Sequence, residues 1–60
     1  MTPREVMQIL KLDGWYVAGT EGSHVHFKHP LKQGKVTVPN HKKDLKLGTL
    51  NSIKKQAGLK

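Results

Sequence analysis

Gly22-Ser23-His24-Val25-His26-Phe27-Lys28-His29-Pro30 packs three histidines and a lysine into nine residues and closes on a proline. Polar and apolar residues alternate along it with a period of two, the pattern of a half-buried β-strand. The spacing predicts a strand over Ser23 to Lys28. Val25 and Phe27 then line one face, suited to a core. His24, His26 and Lys28 line the other, a titratable cationic row open to solvent. His29 would begin the turn before Pro30 and reads as structural.

The flanks fit a meander around that strand. Upstream, Trp15 to Gly19 is short and rich in aromatic and branched residues, a second β-like run. Thr20-Glu21-Gly22 reads as the hairpin turn between the two. Trp15 and Val17 are expected to point inward and Tyr16 outward. Downstream, Pro30 to Gly34 reads as a turn and Lys35 to Val38 as a third strand, ended by Pro39. Helix signals close both ends. Thr2-Pro3-Arg4-Glu5 is a capping box with proline at the first helical position, followed by the apolar stripe Val6, Ile9, Leu10 and a stop at Asp13-Gly14. A second helix starts at Leu47 or Gly48, carries Leu50, Ile53 and Ala57 inward, and ends at Gly58. The order is α-β-β-β-α. An α+β fold is expected, with a three-stranded antiparallel sheet and both helices on one face, in the topology of a dsRNA-binding domain. Val17, Val25, Phe27, Val36 and Val38 would face the helices. His24, His26, Lys28, Lys35 and Thr37 would occupy the other face.

Sixty residues suggest one domain, residues 1–60, with a small core and modest stability. The chain has no cysteine, which excludes disulfides and thiolate zinc sites. Eleven Lys and Arg against four Asp and Glu give a net charge of +7, a dense field that favours nucleic acid or an acidic protein as partner. No apolar run approaches the ~18 residues that span a bilayer, and the N-terminus lacks the apolar stretch of a signal peptide. A soluble, cytoplasmic protein is expected.

Histidine exchanges protons near neutral pH, so a row of imidazoles among lysines suits phosphate chemistry. Gly22 allows a positive φ and a close approach of phosphate to the backbone. Ser23 can donate to a phosphate oxygen or satisfy the turn. Lys28, Lys32 and Lys35 flank the histidine face. His41, Lys42, Lys43 and Lys46 belong to the polar loop before the second helix. Either group can follow an RNA backbone. Lys54, Lys55 and Lys60, late in the second helix and beyond, read as solvated charges that suit the helix dipole. From the residues alone, His24 is open to two readings, an ordinary surface histidine or a catalyst. A metal site is the rival use of His24 and His26, with His41 within approach. Zinc takes three or four protein ligands. With no cysteine, and with Glu5, Asp13, Glu21 and Asp44 scattered along the chain, neither a metal nor another cofactor is expected.

Gly22-Ser23-His24, Phe27-Lys28-His29-Pro30, Val36-Thr37-Val38-Pro39-Asn40-His41, and Gly48-Thr49-Leu50 with Ile53 and Gln56-Ala57-Gly58 together resemble the HicA toxins. Those are mRNA interferases of bacterial toxin–antitoxin pairs. The likeness covers nearly the whole chain, and the order and spacing of the motifs carry it. One departure is Leu47, where many relatives have proline before the Gly-Thr-Leu motif. The resemblance implies a dsRNA-binding-domain-like fold and RNA cleavage without a metal. It implies a catalytic histidine at His24 and a HicB-type antitoxin that covers the active face. Gly22, Ser23, His26, Lys28, Lys35, His41, Lys42 and Lys43 are then the expected RNA contacts. Two other functions fit the sequence: a non-catalytic RNA-binding module of the same fold, and a small subunit whose charge holds an acidic partner.

Overall fold

The first helix, α1, begins where its capping residues dictate. The computed structural model describes residues 1–59, so the reading of Lys60 lies outside the described residues. Helix α1 spans Pro3–Leu12. The Thr2 hydroxyl accepts from the Glu5 backbone N–H at 3.2 Å, and Glu5 Oε1 accepts in return from the Thr2 N–H at 2.9 Å. That backbone bond, and then the Thr2 hydroxyl, hold the Glu5 carboxyl below its ordinary range. The helix ends in a Schellman motif. Gly14, with φ 103°, follows the cap at Asp13; Gly14 N–H bonds Lys11 C=O, and Trp15 N–H bonds Leu10 C=O. Trp15 is thereby drawn into the core as the closing residue of a helix rather than the first of a strand.

Strands β1 (Tyr16–Glu21), β2 (His24–Lys28) and β3 (Val36–Pro39) form an antiparallel sheet in the order β1-β2-β3. The β1–β2 turn is Gly22-Ser23 alone, tighter than the expected Thr20-Glu21-Gly22, and β1 runs two residues further than expected. Gly22 has φ 57° and Ser23 does not have a positive φ, the signature of a type II′ hairpin turn, which matches the twist of its strands. Ser23 therefore belongs to the turn and not to β2. Lys35 stands just before β3, and Pro39 is its last residue. Proline fits there because β3 is an edge strand that pairs only with β2. Helix α2 spans Leu47–Gln56 and ends in a second Schellman motif at Gly58.

Both helices cover one face of the sheet. Val6 and Leu10 of α1 and Leu50 and Ile53 of α2 join Trp15, Val25, Phe27, Val36 and Val38 in one buried cluster. One expectation about this core is corrected, and one core residue was not anticipated. Val17 shares the helix side with its cross-strand partner Phe27 but is 47% exposed, because β1 is an edge strand that the helices leave uncovered. Leu45, just after the polar run Asn40–Asp44, is buried, and its N–H bonds the Met1 carbonyl at 2.9 Å.

A second tie fastens the ends of both helices to the β2–β3 loop. His29 Nδ1 accepts from the N–H groups of Leu31 and Lys32, at 3.0 and 3.2 Å. With that nitrogen an acceptor, Nε2 carries the proton and donates to the Asp13 carbonyl at 2.8 Å. The His29 ring meets Trp15 edge-on, with centroids 5.2 Å apart. Lys32 Nζ reaches the Asp13 carboxylate at 2.5 Å and the Ala57 carbonyl at 3.0 Å. His29 is structural, as expected, and Lys32 is engaged here rather than free for a ligand.

Candidate nucleic-acid interface

The face of the sheet opposite the helices carries the polar residues of β2. Side chains directly opposite across an antiparallel pair share a face, so the strand register reads out its membership. His24 lies opposite Glu21 and Pro39, His26 opposite Gly19 and Thr37, and Lys28 opposite Tyr16. The sequence-predicted row of His24, His26 and Lys28 is thus on one side, with Val25 and Phe27 buried on the other.

The members of the row differ in what holds them. His24 is the first residue after the Gly22-Ser23 turn and is exposed. The turn is fixed on both sides: Gly22 supplies the positive φ, and the Ser23 carbonyl accepts from the Asn40 N–H at 2.6 Å. An imidazole at this position is presented to solvent by a backbone that has little freedom. His26 is half-buried, with Nδ1 2.9 Å from Thr37 Oγ1, so its ring is oriented by β3. Lys28 is exposed at the opposite end of β2, about 13 Å from His24 at ~3.3 Å per residue. Lys35 is exposed at that same end, because Phe27 and Val36 are paired.

His41, Lys42 and Lys43 lie beyond the His24 end, reached from β3 through Pro39 and Asn40. They line a hollow with Pro39, Asp44, Leu45, Lys46 and Thr49. The first turn of α2 borders that hollow. Its N-cap, Lys46, makes no side-chain capping bond, and the first turn has no acidic residue. Its leading N–H groups therefore add to the positive potential of the lysines. Glu21 was missed as a neighbour of His24. The only signal for it was the hairpin register, which a turn begun two residues too early conceals. Among the described residues, no group of three or more His, Cys, Asp or Glu side chains is arranged to hold a metal ion. No described helix is long and apolar enough to cross a membrane.

An exposed imidazole on a fixed turn, with Lys28 at the far end of its sheet face and Lys42 and Lys43 in the loop after β3, can exchange a proton beside a bound polyanion. A family model described as HicA toxin of bacterial toxin–antitoxin matches residues 3–59. No curated protein matches the chain.

Proposed function

The chain belongs to the HicA toxin family, the toxin half of a toxin–antitoxin pair, and on that premise we propose that it is a metal-independent endoribonuclease acting on mRNA. His24 is its general base. RNA carries its own nucleophile, the 2′-hydroxyl beside each phosphate. His24 takes the proton from that hydroxyl, and the oxygen attacks the adjacent phosphorus. The bond to the 5′-oxygen of the next nucleotide breaks, and that oxygen takes up a proton. The products are a 2′,3′-cyclic phosphate and a 5′-hydroxyl.

The observation that carries this reading is the exposure of His24 on the Gly22-Ser23 turn, on the sheet face the helices leave open. Gly22 and Ser23 border the reacting phosphate, with His26 beside them. His41, Lys42 and Lys43 receive the strand at the His24 end, and Lys28 and Lys35 receive it at the other. Given the distance along β2, Lys28 serves a neighbouring phosphate rather than the one being cut. The partner is a HicB-type antitoxin that covers this face, and the pair acts in the cytoplasm.

The test is His24→Ala. A positioned general base contributes about 10²–10⁴-fold, so cleavage and growth arrest should fall by that order while RNA affinity and melting temperature hold. A variant that cuts as fast as the parent would sink the assignment. Unchanged binding with no cleavage in either protein would instead favour a non-catalytic RNA-binding module.

A further inference from the structure

Tyr16 and Gly19 lie in β1 on the open face, and neither belongs to the buried apolar cluster. Tyr16 is 52% exposed and stands directly across from Lys28. The strand register slips between Val17 and Gly19, and Gly19 then pairs with His26. Nothing in the backbone or the packing requires glycine at 19. Its φ is outside the left-handed region, and a Cβ built there meets nothing within 4 Å. Glycine inside a strand weakens it and marks either a bulge, as the slip after Val17 shows here, or a place where a ligand approaches the backbone; the open space over Gly19 leaves room for both. The result is a half-buried stretch of main chain with no side chain over it, with Tyr16 on one side, His26 across from it and Lys28 at its rim.

We propose that this patch is a nucleobase platform, on which one base of single-stranded RNA stacks against Tyr16 over the uncovered backbone of Gly19. The inference rests on the RNA-cutting reading and deepens it. Aromatic rings on sheet faces hold unstacked RNA bases in this way, and any base offers a π-face to them. Lys28 is placed for the phosphate of the stacked nucleotide. The platform runs from about 7 Å to about 13 Å along the sheet from His24, from Gly19 opposite His26 to Tyr16 opposite Lys28, so the stacked base is a neighbour of the scissile bond and not part of it. It sets the register of the strand and adds affinity without demanding one base. The charge of +7 favours this polyanionic occupant.

The experiment uses the His24→Ala protein, so that single-stranded RNA oligonucleotides stay intact, and reads affinity by fluorescence anisotropy. Adding Tyr16→Ala should weaken binding about tenfold, while Tyr16→Phe, which keeps the ring, should not. Gly19→Val should weaken binding in the same sense while its melting temperature is no lower than the parent's, which controls for folding. An oligonucleotide with one abasic residue, moved along its length, should lose affinity at one position for the Tyr16 protein and at none for Tyr16→Ala. Equal affinities for Tyr16→Ala and Tyr16→Phe would overturn the platform, as would a Tyr16→Ala defect confined to antitoxin binding. If His24→Ala alone binds no RNA, the ribonuclease reading falls and the platform with it.

Discussion

Asp13 and His24 show what single side chains do in so small a molecule. Asp13 is a fastener. A hydrogen bond from Lys32 holds its carboxyl below the ordinary range; partial desolvation opposes this, while the charge of Lys32 and the Trp15 indole add to it. A carboxylate whose pKa is depressed by folding stabilises the native state above its unfolded value and loses that contribution as pH falls through the folded one. Asp13→Asn keeps an oxygen for the indole and loses the ion pair. Its melting temperature should lie below that of the parent by a constant gap above about pH 5, and the gap should close as pH drops below about 4. A gap that persists in acid would show that the pair does not act through its charge. His24 takes no part in the core, and its substitution should be felt in chemistry and not in stability.

The hairpin is the element that turns this sequence into a site. Gly22 carries a φ of 57° with open space where a Cβ would sit, so any side chain there is disfavoured by backbone conformation and not by a clash. Gly22→Ala should destabilise the protein by about 1 kcal/mol in denaturant melts. It should also lower cleavage by more than the loss of folded protein explains, because the turn aims His24. Much of this element was legible beforehand. Alternation in Val25-His26-Phe27-Lys28 assigned both faces of β2, and the Thr2–Glu5 box and Asp13-Gly14 marked the limits of α1. What was not legible depended on register. Gly22 was read as the last residue of a turn when it is the first central one, which hid Glu21 behind His24. The slip after Val17 and the uncovered edge of β1 left Val17 exposed, and local sequence carries no sign of either. Leu45 is buried in the common core and its backbone is tied to Met1, forty-odd residues away in the chain, which periodicity does not report.

At the scale of the molecule, one core supports everything. Phe27 is fully buried at its centre. Truncating such a side chain costs about 3–5 kcal/mol, against a total of roughly 3–9 kcal/mol for sixty residues at typical values. Phe27→Ala should therefore be largely unfolded near 37 °C by circular dichroism, and a cooperative melt close to the parent's would contradict the packing described. The sequence made the sheet and its two helices readable because caps, turns and alternation all agree. The open face beneath His24 is what that agreement leaves over. The most direct measurement of its role is the chemistry of the cut ends. RNA incubated with the protein should carry 2′,3′-cyclic phosphate and 5′-hydroxyl termini, absent with His24→Ala. Ends bearing a 5′-phosphate, or the same products from His24→Ala, would contradict a proton-abstracting histidine at the heart of this molecule.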